Sequence, residues 1–591
     1  MHRWLAATAA ALAALAIRSP QPLALHALPQ GAARPADLVL RNGKIVTVDN
    51  ARPEAQAIAI NGDTITALGS NQDIQAFVGP ATRVIDLRGA LVTPGFIDAH
   101  IHFTGVGDAA KNLKLATAKN WDDIVRMVGE AAKKAKPGEW ILGRGWHQEK
   151  WSETPSPNVE GFPLHEALSR VSPNNPVWLT HASGHAGFAN AVAMKLAEVT
   201  KATADPEGGK ILRDKDGNAT GLFNERAQSI VGNALARDLA TRTPARVEAD
   251  LREVIELASR EALSKGLTSV HDAGSPPLTI EVIKKVVDEK KLPLRVWMML
   301  REDASKIAAD MPKYRVVNYG DKRFTVRATK RQIDGALGSR GAWMLEPYSD
   351  LPSTSGFNTD SLDDIRMIAE LAIKNDFQMA IHAIGDRGNR EVLNIYDETF
   401  RKHPDKNSRE LRWRIEHAQH ISGADIPRFG RLGVIPSMEG IHCTSDAPYV
   451  LARLGPKRAE EGAYAWQKLM KSGATIANGT DAPVEDIDPI PSFYASVSRK
   501  TKDGSVFYPD QRMSRMEALR SYTINAAYAG FDENIKGSLV PGKLADVTVF
   551  SKDLMTIPED EIPSTKILYT IVGGTVQYEG NGSRRDSAER R

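Results

Sequence analysis

The chain has 591 residues, of which 42% are hydrophobic and 25% are charged, a composition typical of globular proteins with a large buried core. Its formal net charge of +3 is small for this length and argues against a nucleic-acid-binding protein. The single cysteine, Cys443, excludes an intrachain disulfide framework and a thiolate-rich metal site. Any metal ion must therefore be held by His, Asp, Glu or an oxygen derived from Lys.

Residues 1–35 have the composition of a leader. His2 and Arg3 precede an apolar run from Trp4 to Ile17, and a stretch rich in Pro, Ala and Gln follows. This pattern predicts a signal peptide and export to the periplasm or the medium, and a disordered or membrane-tethering leader is the alternative. The run is short for a membrane span, and no later segment is long and apolar enough for one.

The two ends of the remaining chain share one pattern of short alternating strands, over residues 36–94 and again over residues 531–580. In the first part, Asn42-Gly43 and Asn61-Gly62 lie between β-runs, which is a strong hairpin signal. We therefore predict a small β-sandwich domain assembled from both chain ends, with two unrelated β-pieces as the alternative. Residues 581–591 are predicted to be a disordered tail.

Residues 95–530 alternate apolar strands with helical stretches, which favours a parallel α/β domain. Eight strands are predicted, the number that a TIM barrel needs, at 96–102, 267–271, 294–300, 324–330, 377–382, 412–417, 434–436 and 475–480. Helices are predicted at 245–265, 362–375 and 389–401. The interval of about 103–265 is too long for a single crossover and is predicted to be an insertion.

His100 and His102 stand at the end of the first predicted barrel strand. Alternation along a strand places both imidazoles and Asp98 on one face, with Ile97 and Ala99 on the opposite face against helices. Two histidines in this arrangement can reach one metal ion as neutral nitrogen ligands, although an isolated His-x-His pair is more often solvated surface.

Polar side chains also end the predicted strands four, five, six and eight, as Lys330, His382, His417 and Asp481. Each has an ordinary explanation by itself, as a solvated cation, a hydrogen-bonded histidine or a turn carboxylate. Because the carboxyl ends of TIM-barrel strands carry the chemistry, the set predicts a metal site at the barrel mouth. Alternation is expected to aim His417 inward together with Trp413 and Ile415, and to leave His420 beyond the strand.

Six segments together resemble a known family. They are Thr93-Pro-Gly-Phe-Ile-Asp-Ala-His-Ile-His102, the stretch from Lys330 to Arg340, Ile381-His-Ala-Ile-Gly-Asp386, Arg414-Ile-Glu-His-Ala-Gln-His420, Ser437-Met-Glu439 and Gly479-Thr-Asp-Ala-Pro483. Through them the chain resembles the amidohydrolase superfamily, in particular the YtcJ-like branch that includes N-substituted formamide deformylases. The resemblance implies an α/β fold, a TIM (β/α)8 barrel with a composite β-sandwich.

The resemblance also implies two divalent metal ions, for which zinc is best suited and manganese, iron, cobalt or nickel are alternatives. One ion is then held by His100, His102 and Asp481, and the other by His382 and His417. Lys330 is then carboxylated on its side-chain nitrogen and bridges both ions.

The activity implied by the resemblance is hydrolysis of a non-peptide C–N bond in an amide, N-acyl or N-formyl group. A metal-bridging hydroxide attacks, and Asp481 acts as general base and then as general acid. The expected substrate contacts are His185, Asn190, His442 and Arg458, of which His185 or His442 could stabilise the oxyanion. The expected partner is a small-molecule substrate, and a homo-oligomer is possible.

Two other functions remain open at this point. An esterase or lactonase would use the same hydroxide on a different carbonyl. A secreted metal-containing protein in binding or regulation would have no catalysis, but a purely structural site would not need Asp481 as a base.

Overall fold

A computed structural model describes residues 34–580. The predicted signal peptide lies almost entirely in residues 1–33 and the predicted tail is residues 581–591, so both are outside the described residues and stay predictions, as does export. Within residues 34–580, no helix combines the length and the apolarity that a membrane crossing requires.

Short strands open the described chain. They are β1 (Leu38–Arg41), β2 (Lys44–Val46), β3 (Glu54–Ala55), β4 (Ala57–Asn61), β5 (Thr64–Gly69), β6 (Arg83–Asp86) and β7 (Leu91–Pro94), with helix α1 (Asn71–Gln75) before β6. Four of them form a sheet in the order β5-β4-β1-β6. Asn61-Gly62 makes the predicted hairpin between β4 and β5. Asn42-Gly43 does not, because β1 and β2 belong to different sheets and the turn carries the chain from one to the other.

The first barrel strand and the long insertion follow. The elements are β8 (Phe96–Ile101), α2 (Phe103–Lys111), β9 (Leu113–Lys114), α3 (Trp121–Ala132), β10 (Ile141–Trp146), β11 (Asn158–Val159), β12 (Phe162–Pro163), α4 (Glu166–Val171), β13 (Val177–His181), β14 (Ala186–Ala189), α5 (Ala191–Leu196), β15 (Gly209–Arg213), β16 (Ala219–Glu225) and α6 (Gln228–Ala240). Within the predicted insertion, six strands form a separate sheet in the order β15-β16-β14-β13-β10-β9. Its own core includes the buried side chains of Trp121, Trp146 and Phe188.

The chain then completes the barrel. The elements are α7 (Pro244–Ser264), β17 (Leu267–Ser275), α8 (Pro277–Asp288), β18 (Arg295–Leu300), α9 (Ala304–Tyr314), β19 (Val316–Asn318), α10 (Tyr319–Lys322), β20 (Phe324–Gln332), α11 (Leu362–Lys374), β21 (Gln378–Ala383), α12 (Asp386–Lys402), α13 (Ser408–Leu411), β22 (Arg414–His417), α14 (Ile426–Leu432), β23 (Ile435–Glu439), α15 (Gly440–Gly462, kinked at Gly455), α16 (Trp466–Lys471), β24 (Ala477–Gly479), α17 (Pro489–Ser498), α18 (Arg515–Ser521) and α19 (Ile524–Ala529). Helices α7, α11 and α12 correspond to the three predicted ones.

Eight parallel strands pair in the order β8-β17-β18-β20-β21-β22-β23-β24, which confirms the predicted TIM barrel. Two hydrogen bonds join the last strand to the first. The N–H of Asp481 donates to the carbonyl of His100 at 2.8 Å, and the N–H of His102 donates to the carbonyl of Ala482 at 2.8 Å. The closure therefore brings the predicted ligand residues of the first and eighth strands side by side.

The wall helices form for local reasons that α11 illustrates. The side chain of Ser361 accepts the N–H of Asp364, and Asp363 and Asp364 place negative charge at the positive end of the helix. Buried apolar residues then recur with helical spacing and face the sheet; they are Ile365, Ile368, Ala369, Ala372 and Ile373.

The last strands of the chain pair with strands from its beginning. They are β25 (Val547–Phe550), β26 (Ile567–Val572) and β27 (Thr575–Glu579), and they form a sheet in the order β27-β26-β25-β7-β2-β3. Buried side chains from both chain ends share one core, for example Leu40 and Ile60 with Val549 and Ile571. The predicted composite β-sandwich is therefore confirmed, and the alternative of two unrelated β-pieces is excluded.

A buried ion pair joins the barrel to the sandwich. Arg295, at the start of β18, donates from Nε to Oδ2 of Asp546 at 2.7 Å and from Nη2 to Oδ1 at 2.9 Å. The two side chains are only 3% and 4% exposed. Asp546 also accepts the N–H of Gly573 in the last β-hairpin. Removal of either charge would leave the other buried without a counter-ion.

Asp546→Ala is therefore expected to lower the free energy of unfolding by about 3–5 kcal/mol, because the buried Arg295 guanidinium would lose its ion-pair partner. Denaturant titration followed by circular dichroism would measure the loss. Glu256→Ala removes an exposed partner of Arg260 on α7 and should change stability by less than about 0.5 kcal/mol. Equal effects of the two substitutions would contradict the structural importance of the buried pair.

Candidate metal centre

The six predicted ligand residues converge at the carboxyl edge of the barrel. Five of them line a cavity of about 590 Å³, and the sixth, His100, is fully buried beneath it. The five are His102, Lys330, His382, His417 and Asp481. The convergence follows from the parallel barrel, since every strand delivers its last residues to the same edge.

Three groups of donor atoms within the described residues are compact enough to hold a metal ion, with all atoms of a group within 4.8 Å of one another. His100, His102 and Asp481 form the group that the sequence predicts. Asp481 also belongs to a group with His417 and His442, and Glu439 to a group with His100 and His417. Glu439 was not predicted as a ligand, and His442 was predicted only as a substrate contact. The ring centroids of His382 and His417 are 4.5 Å apart.

The carboxylate of Asp481 connects these groups. Its Oδ1 lies 3.3 Å from Nε2 of His102 and 3.6 Å from Nε2 of His100, and its Oδ2 lies 3.7 Å from Nε2 of His442. Burial acts to raise the pKa of Asp481, but the neighbouring His102 imidazole and the surrounding histidines hold it below its ordinary value. The carboxylate is therefore ionised, as a ligand or a base must be.

Several buried polar atoms at this edge have no hydrogen-bond partner in the described part of the chain. They include Oδ1 of Asp481, Nε2 of His382, Nε2 of His442 and Oε1 of Glu439. Burial lowers the pKa of His100 and His382 well below the ordinary value, and lowers that of His417 to about 3, so these rings are neutral. Because unsatisfied carboxylate oxygens and neutral imidazole nitrogens are the donors that a divalent cation needs, the residues fit a metal ion.

Buried carboxylates orient two of the imidazoles. Nδ1 of His100 donates to Glu416, whose carboxylate is held by Arg414 through Nε at 2.6 Å and Nη2 at 2.8 Å. This leaves Nε2 of His100 facing the cluster, 3.5 Å from Nζ of Lys330. In the same way, Nδ1 of His417 lies 2.9 Å from Oε2 of Glu439. Such partners fix the ring orientation of a metal-binding histidine.

The side chains of β22 that face the barrel interior are not the expected ones. Trp413 packs against Tyr396 of α12 at 4.8 Å between ring centroids, so it points out of the barrel, and Arg414 and Glu416 point inward. His417 nevertheless reaches the site because its backbone is left-handed, with φ of 72°. The expectation that His417 shares a face with Trp413 and Ile415 is therefore wrong, although its inward position is as expected.

The first strand, β8, also departs from simple alternation. Ile97 and Ala99 pack with Ile435 of β23 inside the barrel, whereas Asp98 accepts a hydrogen bond from the Thr480 hydroxyl at 2.5 Å. The expected faces of these three residues are thus reversed. The pairing of β8 with β17 changes register after Asp98, and this irregularity returns the following histidine to the inner face.

His417→Ala is expected to reduce bound metal by one ion per chain and to abolish nearly all activity, because its imidazole lies inside the donor cluster. His420→Ala is the matched control. His420 is equally buried, but it packs against Tyr464 at 5.4 Å and belongs to none of the donor groups found within residues 34–580. Metal analysis by mass spectrometry distinguishes the two variants. Loss of metal from the His420 variant alone would refute the assignment.

Two of the predicted substrate residues, His185 and His442, line the cavity. Nδ1 of His185 lies 2.9 Å from Oε2 of Glu225, and Oε1 of Glu225 accepts the Ser339 hydroxyl at 2.8 Å. Although burial acts to lower it, the Glu225 carboxylate raises the pKa of His185 above its ordinary value. Nδ1 of His442 lies 2.8 Å from Nε2 of Gln419.

The structure does not bring the other two predicted substrate residues, Asn190 and Arg458, to the cavity. Asn190 is fully buried. Its Oδ1 accepts the N–H of Ala193, which caps α5, and also the N–H of Val177 in β13. Arg458, on α15, donates to the carbonyls of Glu346 and Pro347. Both side chains thus have structural partners elsewhere.

A family model described as the amidohydrolase family matches residues 83–578. The chain belongs to the amidohydrolase family. Membership confirms the predicted resemblance and the predicted enzyme class, a metal-dependent hydrolase.

Relatives of the family cover nearly the whole chain. The protein LONG AFTER FAR-RED 3 of Arabidopsis thaliana is 34% identical over 555 residues, which are 92% of this chain and 92% of the relative. The N-substituted formamide deformylase of Arthrobacter pascens is 27% identical over 554 residues, which are 93% of this chain and 99% of the relative.

A crystal structure of an uncharacterized metal-dependent hydrolase from Pyrococcus horikoshii superimposes with a TM-score of 0.71 at 25% identity. The superposition covers 88% of this chain and 99% of the chain from Pyrococcus horikoshii.

Proposed function

We propose that this amidohydrolase cleaves a C–N bond outside peptides, in an amide with an N-acyl or N-formyl group. The main support is the group formed by His100, His102 and Asp481, which faces a cavity large enough for a small molecule. The relative from Arthrobacter pascens, by its name a deformylase of N-substituted formamides, also supports this bond type.

We further propose a site for two divalent ions, with zinc as the best-suited metal. His100, His102 and Asp481 would hold one ion, and His382 and His417 the other. Bound there, a divalent ion would supply Lewis acidity, which lowers the pKa of water and polarises a carbonyl.

We also propose that Lys330 is carboxylated, and its burial supports this. Its side chain is 3% exposed, and burial lowers its pKa to about 8, so that the neutral amine is accessible near neutral pH. Attack of this amine on carbon dioxide forms a N–C bond and, after loss of a proton, leaves a carbamate anion with two oxygens. The carbamate would replace a positive charge by a negative one among the donor atoms.

The proposed proton transfers use residues of the cavity wall. Asp481 is ionised and open to the cavity, so it can accept the proton of an attacking water and pass it to the leaving nitrogen. His185 and His442 stand on the same cavity wall as hydrogen-bond donors for the oxyanion that forms on the substrate.

An activity panel tests this function. The metal-loaded protein would be assayed against N-formyl amines, N-acyl amides, lactones and carboxylic esters of similar size, with the chelated apo-protein as the control. We expect the largest kcat/KM for an amide. Hydrolysis of esters or lactones alone, or of no substrate by fully metal-loaded protein, would contradict the proposal.

A further inference from the structure

Arg301 stands on the cavity wall directly beside Lys330. It follows the last residue of β18, Leu300, which pairs with Thr329 of β20. Both side chains start next to Gly274. A Cβ atom added to this glycine would lie 2.9 Å from Cβ of Lys330 and 3.2 Å from Cβ of Arg301. Arg301 therefore starts next to Lys330 and lines the same cavity.

The charge of Arg301 is not neutralised by the protein. Within residues 34–580 its guanidinium has no hydrogen bond or ion pair, and the residue is exposed to the cavity. Two nearby carboxyl groups, those of Asp360 and Asp272, form no ion pair with Arg301. Oδ2 of Asp360 contacts Nη2 of Arg331 at 2.9 Å, and Oδ1 of Asp272 accepts the N–H of Phe103 at 2.8 Å. Burial lowers the pKa of Arg301 below its ordinary value.

The other arginines of the cavity wall differ from Arg301. Arg144 donates to the carbonyls of Pro483 at 3.0 Å and Ala182 at 3.2 Å, and Arg226 donates to the carbonyl of Thr359. Those guanidinium groups thus have structural partners. Among the arginines that line the cavity in the described chain, only Arg301 has a guanidinium group without a hydrogen bond to the protein.

Most carboxylates of the cavity wall are occupied as well. Glu225 binds His185, and Asp446 accepts the hydroxyl of Tyr464 at 2.5 Å. They therefore do not compete for Arg301. An unpaired cation at the edge of a partly desolvated site favours a ligand that brings a negative charge.

We propose that Arg301 binds a carboxylate of the substrate, so that the amides cleaved here are anionic ones, such as N-acyl or N-formyl amino acids. This inference rests on the proposed function and adds a substrate class to it. The planar guanidinium matches a carboxylate in a two-pronged hydrogen bond, which an ammonium group cannot reproduce. Arg301 thus selects the substrate without taking part in the chemical step.

The test compares two amides that differ only in the carboxylate, N-formyl-L-phenylalanine and N-formyl-2-phenylethylamine, with the metal-loaded full-length protein. We expect kcat/KM to favour the carboxylate by about 10- to 100-fold, the range of a charge-assisted hydrogen bond. In Arg301→Gln this ratio should fall to near one, mainly through KM. Arg301→Lys should keep part of the ratio, and Arg226→Gln, the matched control on the same wall, should keep all of it.

A binding measurement separates this inference from the proposed function. Calorimetric titration with 3-phenylpropanoate, which has no amide to cleave, should show at least about tenfold weaker binding to Arg301→Gln than to the wild type or Arg226→Gln. If neither amide is cleaved but this difference is present, the proposed function fails and the carboxylate site stands. If both amides are cleaved equally well, or Arg301→Gln leaves 3-phenylpropanoate binding unchanged, the inference is overturned.

Discussion

Replacing Asp481 by asparagine is expected to lower kcat by about 1,000-fold or more, within the range for loss of a general acid–base group. The carboxylate is buried, ionised and within 3.3 Å of His102, so an amide of the same shape can occupy its position. The asparagine amide, however, cannot accept a proton from water. Bound metal should therefore stay close to the wild-type content while turnover is lost.

Steady-state kinetics together with metal analysis of Asp481→Asn would measure both quantities. Glu485→Gln is the matched control, because Glu485 lines the same cavity and its loss also removes one carboxylate from the wall. That variant should keep kcat within a few-fold of the wild type. An Asp481→Asn enzyme with a tenth of the wild-type kcat would show that another group shuttles the proton.

Lys330→Ala is expected to abolish activity and to empty the metal site. Nζ of Lys330 lies 3.5 Å from Nε2 of His100, in a buried position where an ammonium group would repel divalent cations. The alanine variant lacks the nitrogen on which the proposed carbamate forms. Millimolar formate or acetate is expected to restore part of the metal content and activity, since a small carboxylate supplies the missing oxygens.

Native mass spectrometry of the metal-loaded wild type should show the added mass of one carbon dioxide on Lys330, which acid would remove. Lys150→Ala, which removes an exposed lysine from the same cavity wall, serves as the control and should keep its metal. A metal-loaded, active protein with an unmodified Lys330 directed away from the donor cluster would rule out this role.

The barrel could be predicted from sequence because its strands are buried on both faces. Such strands appear as short apolar runs, and all eight were found at their observed places. The β-sandwich was predictable for a different reason, since alternation and Asn-Gly turns occurred at both ends. Asn42-Gly43 shows the limit of that signal, because a turn between two sheets has the same local sequence as a hairpin.

The donor cluster was predictable as a set, but its detailed geometry was not. His417 enters the site through a left-handed backbone, which costs about 1–3 kcal/mol at a non-glycine residue and leaves no trace in the side-chain pattern. Arg301, Glu416 and Glu225 were missed because single charged residues near strand ends have no characteristic spacing. Asn190 looked like a pocket residue, and only the structure shows that its amide is used to cap a helix.

The composite β-sandwich has a consequence for how the protein is made. Strand β7 pairs with β25, so the ribosome adds about 450 residues before the partner of Pro94 exists. At typical translation rates of roughly 5–20 residues per second this takes about 20 to 90 s, during which the edge of β7 stays unpaired. An open strand edge recruits other strands and promotes aggregation. The amino-terminal β-strands are therefore a part of the nascent chain that binding by a chaperone would protect.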